Sequence, residues 1–407
     1  MHHKKDTKKY LKFNILVFAL IFLFSCSTVF ISKVNASLSD SRAYEVYNTA
    51  WNILNEKSYF KSTINLNRWE NKFENKINDL NDAHKYIGKL LKELKDPYTR
   101  FLTQEEFKDE QDIINSSLVG IGVKLEDKKP VIVDILPESP AYKEGLKPND
   151  YILNVNNKNT IGLSSSQVAS LMRGLKDTEI TVKIKRGNEK ISKTLKRKEL
   201  NFKAVSGKFL NNNIALIKID SFIPENTSKL FKDELLKLMS ANGIILDLRN
   251  NSGGLVKNAV EIADMFLSEG KIVSTVYTTN KINEYANSSC LYDEGLIILV
   301  NERTASASEI LISALKENKK AIVIGKKTFG KGLVQEIVKL PDDSALHVTI
   351  AAYLTPSGKN INKVGIIPDE IITIEDKQIV RAEEILLTLK NSQKNVIAIR
   401  KRTGSQI

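Results

Sequence analysis

Cysteine is nearly absent from this chain of 407 residues. Cys26 falls in the leader discussed below, and Cys290 closes the polar stretch Asn287-Ser288-Ser289-Cys290. The folded part therefore has no internal disulfide and no cysteine metal site to expect. Histidine is also scarce. His2 and His3 lie in the leader, His84 falls among the N-terminal helices, and His347 alternates with Leu346 and Val348 as a strand residue. None sits in a pattern that would activate a serine, which argues against a Ser–His–Asp triad. No Arg-rich stripe and no mixed basic and aromatic run occurs, so the net charge of +13 does not imply a nucleic-acid partner. Residues 1–36 hold six Lys against one Asp, and the remaining excess is interleaved with Glu and Asp as on solvated faces. No metal or other cofactor is expected.

Hydrophobic content of 42% is ordinary for globular domains, and the length allows two or three of them. The N-terminus reads as an export signal. Lys4, Lys5, Lys8, Lys9 and Lys12 form a basic head, residues 13–31 are mostly apolar and uncharged, and Val34-Asn35-Ala36 offers small residues for cleavage. The apolar run also approaches membrane-span length, so a retained anchor is the alternative. Leu23-Phe24-Ser25-Cys26 faintly matches a lipoprotein box, with Phe24 a poor fit. All three readings place the bulk of the chain outside the cytoplasm, periplasmic or anchored to the inner membrane.

Residues 38–115 read as helical. Tyr44, Tyr47, Trp51 and Leu54 share one helix face, as do Ile87, Leu90, Leu91 and Leu94 in a second helix ended by Asp96-Pro97. After Gly120 the pattern becomes strand-rich, with short strands over 131–135, 151–155 and 180–184 and a helix over 165–173. From 201 to 374 strands and helices alternate: strands over 214–219, 244–248, 296–300 and 321–324, and helices over 225–239, 256–267 and 307–317. Such alternation predicts an α/β domain with a largely parallel sheet. The last 30 residues read as helical with a basic tail.

Three segments follow strands of that domain, where open α/β sheets place their sites. In Asp247-Leu248-Arg249-Asn250-Asn251-Ser252-Gly253-Gly254 the glycine pair allows a sharp turn with exposed N–H groups, fit for an oxyanion, a phosphate or a plain turn. In Thr304-Ala305-Ser306-Ala307-Ser308-Glu309 a helix begins. Ser308 fits an N-cap, and Ser306 stands on the turn before it between two alanines that leave room for a carbonyl. The Ala307 N–H would meet a developing negative charge there. The third segment, Gly325 to Lys331, is nearly a phosphate-binding loop, but Gly332 stands where a Ser or Thr would bind magnesium. The other reading makes Lys331 a general base, since a desolvated lysine loses its charge readily.

Together these runs resemble the signatures of C-terminal processing peptidases, the tail-specific proteases of peptidase family S41. Ser306 and Lys331 are 25 residues apart, as in that family. The resemblance implies a serine endopeptidase with a Ser–Lys dyad. Ser306 would be the nucleophile, Lys331 the base and Gln335 its orienting partner, with the N–H groups of Ala307 and Gly253 as the oxyanion hole. It extends to Asp96-Pro97-Tyr98-Thr99, to Glu105-Glu106-Phe107, and to Thr355-Pro356-Ser357-Gly358 through Pro368-Asp369. Ser252 departs from a usual proline, and Arg303 from a smaller residue.

In that family the strand-rich module is a PDZ domain. Gly120-Ile121-Gly122-Val123 would capture a terminal carboxylate, and Val168, Leu171 and Met172 would line an apolar pocket; the plainer reading puts these three in the core. Arg173 would link the module to the protease.

The fold expected is therefore α+β and multidomain: a leader (1–36), a helical N-terminal region (37–106), a PDZ domain (107–200), an α/β protease core of crotonase or ClpP type (201–375), and a C-terminal helix and tail (376–407). The partners expected are exported proteins with apolar C-termini, an activating adaptor, a second copy of the chain and a membrane anchor. A PDZ carrier with an inactive peptidase domain and a crotonase-like thioester enzyme are the competing readings.

Overall fold

The computed structural model describes residues 41–115, 119–126, 129–163, 165–200, 204–287 and 290–403. The leader, including Cys26, lies outside them. None of the helices among the described residues is long and apolar enough to cross a membrane. The chain forms two compact units, one through Thr103 plus Gln335–Thr349, the other Gln104–Val334 plus Ile350 onward. This division cuts across the consecutive segments expected from sequence, because a stretch from the protease segment joins the N-terminal helices.

In the first unit, helix α1 (41–57) buries Tyr47, Trp51 and Leu54, and helix α2 (Leu80–Glu93) buries Ile87, Leu90 and Leu91. Asp79 caps α2, accepting the Asp82 N–H at 2.8 Å. The region is not wholly helical: Arg100–Leu102 is a strand, paired antiparallel with Ala345–His347.

The second unit contains the strand-rich module and the α/β core. Helix α3 (Gln104–Ile114) leads into the module. There Val123–Leu125 pairs with Ile132–Ile135, and a four-stranded sheet runs Lys158–Asn159, Tyr151–Val155, Glu179–Arg186, Glu189–Lys196. Helix α4 (Pro140–Lys143) and helix α5 (Ser165–Met172) contribute Ala141, Val168 and Met172 to its core.

The α/β core is a sheet of six strands in the order Val205–Phe209, Ala215–Ile219, Ile244–Asp247, Leu296–Val300, Ile322–Gly325, Glu370–Ile371. Only the first pair is antiparallel. Leu296–Val300 is buried at every position, as a central parallel strand covered on both faces must be. Helices α6 (Thr227–Lys237), α7 (Val256–Asp264) and α8 (Ala307–Glu317) pack on one face against Ile217, Leu246 and Ile298. Helix α9 (Glu375–Thr403) packs Ala382 and Leu386 on the other, against Ile245 and Ile297. Each such side chain contributes about 1.5–3 kcal/mol relative to exposure. Outside the alternation, Lys271–Tyr277 and Lys281–Tyr285 form an antiparallel hairpin, and Ser274–Tyr277 pairs with Ala351–Leu354.

In the first unit Asp342 is fully buried. It takes hydrogen bonds from Ser344 N–H and Oγ (3.2 and 2.5 Å), and His84 Nε2 stands 2.7 Å from its other oxygen. Burial pushes this carboxyl up, but the bonds from Ser344 and His84 outweigh it and hold it below its ordinary value. The folded form is thus stabilised above the unfolded pKa of about 3.9, and that stabilisation is lost as pH falls through the folded value. Asp342→Asn should cost about 1–3 kcal/mol at neutral pH. Denaturant melts should show the gap from wild type closing below about pH 4.

Candidate active site

The three segments singled out in the sequence follow three adjacent parallel strands, Ile244–Asp247, Leu296–Val300 and Ile322–Gly325, and so meet at one edge of the sheet. Asn251, fully buried, organises the first. Its Nδ2 donates to Ile219 O at 2.8 Å, and its Oδ1 accepts the Gly253 N–H at 2.9 Å. Gly253 has φ +97°, and a Cβ there would lie 2.7 Å from Ala305 O, 2.8 Å from Ser306 Cβ and 2.9 Å from Ala307 N. Only glycine lets this loop press against the Ser306 turn. The expected oxyanion donor at Gly253 is thus already committed to Asn251. The N–H groups of Gly254 and Ala307 have no acceptor among the described residues.

Ser306, not Ser308, is the N-cap of α8; the Ser308 hydroxyl donates to Asn251 O at 3.0 Å. Ser306 has φ +58° and ψ −120°, which is strained for a residue with a side chain. Three residues on, Glu309 is fully buried and accepts four hydrogen bonds. Its Oε2 takes the N–H of Ser306 and of Lys331, each at 2.9 Å. Its Oε1 takes the Thr328 hydroxyl at 2.5 Å and the Gly330 N–H at 2.8 Å. The two amide nitrogens on Oε2 are therefore at most twice 2.9 Å apart. The buried Tyr353 adds a second tie, its hydroxyl lying 2.6 Å from Lys331 O and 3.1 Å from Ser306 O. Burial, with the Glu309 charge nearby, pushes this phenol well above its ordinary pKa and keeps it a donor.

After Gly332 the chain enters the strand Leu333–Lys339. A phosphate-binding loop would open a helix there, so the nucleotide reading of Gly325 to Lys331 fails. Gln335 belongs to the first unit, where its Nε2 donates to Thr349 Oγ1 at 3.5 Å. Cys290 is a free thiol whose Sγ lies 3.6 Å from Tyr292 O.

The sequence profile of peptidase family S41 matches residues 213–372 and that of a PDZ domain matches 131–186. The chain is 32% identical over 387 residues to a carboxyl-terminal-processing protease of Synechocystis, covering 90% of this chain and 88% of that one. The corresponding protease of Picosynechococcus is 33% identical over 341 residues, covering 80% and 82%. Among solved structures, a photosystem II D1 C-terminal processing protease superposes with a TM-score of 0.62 at 27% identity, covering 81% of this chain and 92% of that one. The chain belongs to peptidase family S41. It is a serine protease of the carboxyl-terminal-processing family and carries a PDZ domain.

Within the S41 chain, the PDZ loop has its own geometry. Gly120 pairs with Lys198 in a short antiparallel ladder. Gly122 has φ +85°, and a Cβ there would lie 2.2 Å from Ser139 Cβ, so the position excludes side chains. The N–H groups of Ile121 and Gly122 have no acceptor among the described residues, and Val123 opens the strand beyond. Of the expected pocket residues, Val168 and Met172 are core side chains and Leu171 is partly buried; Ile121 of the loop also lies in the core. Val168 and Met172 are four residues apart and face inward together. Asp109 of α3 ties the helix end down, accepting both Arg173 and the Ser170 hydroxyl.

Three functional positions went unread in the sequence. Glu309 lay inside a quoted motif without a role. Tyr353 had no signal beyond strand alternation. Asp247 holds the Arg249 guanidinium at 2.6 and 2.8 Å, and Arg249 reaches Glu375 O at 3.1 Å, anchoring α9 beneath the first loop. Glu309→Gln places an amide N–H₂ among four donors. It should lower kcat/KM by about 10²-fold or more through misplacement of the loops and cost about 1–3 kcal/mol in stability. Tyr353→Phe keeps the ring and removes the bridge, and should lower kcat/KM by roughly tenfold. Steady-state kinetics on one protein substrate, with melts in parallel, check both.

Proposed function

We propose that the chain is a serine endopeptidase with a Ser306–Lys331 dyad that recognises protein C-termini through its PDZ domain and processes or degrades exported proteins. The observation that carries this reading is the shared grip of Glu309 Oε2 on the Ser306 and Lys331 backbones. A neutral Lys331 takes the Ser306 hydroxyl proton as Oγ attacks the substrate carbonyl. The ammonium so formed returns the proton to the leaving amine, giving an acyl-enzyme ester and a new N-terminus. Water then attacks the ester, with Lys331 again as base, and releases the new C-terminus. Ala307 N–H, at the N-terminus of α8, stabilises the oxyanion with Gly254 as the second donor.

In the PDZ domain the free N–H groups of Ile121 and Gly122 take the terminal carboxylate, and the peptide lies against Leu171. The first 36 residues direct the chain out of the cytoplasm, to the periplasm or the inner-membrane surface. The reaction needs no cofactor.

The test is degradation of a loosely folded protein with an apolar C-terminus. Wild type should cut it, and Ser306→Ala and Lys331→Ala should fall to the uncatalysed level. The rate should rise with pH as Lys331 loses its proton, in a range where catalytic lysines titrate near about 7–8. A Lys331→Ala protein that still cuts would overturn the assignment of the base.

A further inference from the structure

A cavity of about 370 Å³ lies between α7 and the hairpin of Lys271–Tyr277 with Lys281–Tyr285, walled by Val256, Val260, Thr275, Tyr277 and Val334 with Glu284. Its walls are extensions of the catalytic loops. Val256 opens α7, two residues beyond Gly254. Val334 lies in the strand that starts at Leu333, three residues beyond Lys331. Thr275 is the direct partner of Tyr353 across an antiparallel ladder, so both side chains stand on one face. Tyr353 is the residue whose hydroxyl meets the carbonyls of Ser306 and Lys331.

Among the described residues nothing pairs with Glu284 Oε2: it is shielded from solvent and has no hydrogen-bond partner there. Burial alone acts on the carboxyl, raising its pKa. A buried polar atom without a partner is destabilising, and it calls for a ligand group that supplies one. The two other charged groups at this cavity are matched: Lys257 pairs with Glu261 at 3.8 Å, and Glu261 also accepts the Ser228 hydroxyl at 2.5 Å. One acidic group is left over, in a cavity whose remaining walls are largely apolar.

We infer that this cavity receives the side chain of the residue whose carbonyl is attacked, and that Glu284 makes lysine or arginine the preferred residue there. The aliphatic stem of such a side chain packs on Val256, Val260 and Val334, and its cationic head pairs with the Glu284 carboxylate, whose Oε2 has no partner among the described residues. An aliphatic residue fills the walls but leaves Oε2 unpaired, and an acidic residue is repelled. The carbonyl of the same residue lies at the oxyanion donors, and the Gly254 loop runs directly into the cavity wall at Val256. The inference rests on the peptidase reading above.

The test uses the full-length protein and peptides that differ only at the residue before the cut bond: lysine, Nε-acetyl-lysine, norleucine or glutamate. The cut site is read by mass spectrometry. In wild type, kcat/KM for lysine should exceed that for acetyl-lysine and norleucine by about tenfold or more, with glutamate slowest. Glu284→Gln should bring the lysine to norleucine ratio within about threefold. Equal or faster cleavage after norleucine in wild type overturns the inference without reference to any variant, as does an unchanged ratio in a folded Glu284→Gln protein. If no peptide is cut, the peptidase reading fails, and the cavity is judged separately by anisotropy of labelled peptides on Ser306→Ala protein. Binding of the lysine peptide about tenfold tighter than norleucine supports it, and equal affinity overturns it.

Discussion

The arrangement depends on one buried carboxylate. Glu309 lies in the first turn of α8, where the helix N-terminus favours negative charge, and every lone-pair direction it offers is used by a donor. Those donors come from two loops that follow different strands. The carboxylate therefore closes the gap between them and fixes how far apart Ser306 and Lys331 can stand. It also has strain to hold. A non-glycine residue at φ +58° costs of the order of 1–3 kcal/mol and persists only where its surroundings over-determine it. Ser306 is held on both sides, by Glu309 at its N–H and by Tyr353 at its carbonyl. The position of Ser306 is thus fixed by hydrogen bonds on its own backbone.

Much of this frame was legible in the sequence. A fully apolar run such as Leu296–Val300 suits a central parallel strand buried on both faces, and the alternation of strand and helix located the sheet edge where the three loops meet. Leu296–Val300 and Ala307–Glu317 have the bounds that the residue pattern gives. The hairpin Lys271–Tyr277 with Lys281–Tyr285 escaped that reading because its second strand is largely solvent-facing and polar, so it carries no apolar alternation. Glu189–Lys196 escaped for the same reason, being lysine-rich with only Ile191 and Leu195 apolar and Lys193 between them on the same face.

The three loops that meet at the sheet edge were legible as motifs at fixed spacing. Residues that act through partners were not. A glutamate three residues into a helix reads as half of a capping box. Nothing in the sequence says that the Thr328 hydroxyl and the Gly330 and Lys331 N–H groups also converge on it. In the PDZ domain the positions Val168, Leu171 and Met172 share a helical face in projection, but in an eight-residue helix against a small sheet the same face must also complete the core. The core claims Val168 and Met172, and Leu171 packs against it only partly buried.

The glycine pair shows how the absence of a side chain can be the functional property. Gly253 was expected to supply an N–H to the oxyanion, yet that N–H is held by Asn251 within the turn. What Gly253 contributes is contact: its Cα hydrogens occupy the space where a Cβ would strike Ala305 O, Ser306 Cβ and Ala307 N. Asn251 holds both sides of this contact, accepting the Gly253 N–H through its side chain and the Ala305 N–H and the Ser308 hydroxyl through its carbonyl. The first loop is thus locked onto the Ser306 turn from one side as Glu309 locks the Lys331 loop from the other. The Gly254 N–H has no acceptor among the described residues, and neither has that of Ala307. A substitution at Gly253 would act on catalysis by pushing the loops apart, without removing a donor, and the same loop separation would reach the cavity wall that begins at Val256.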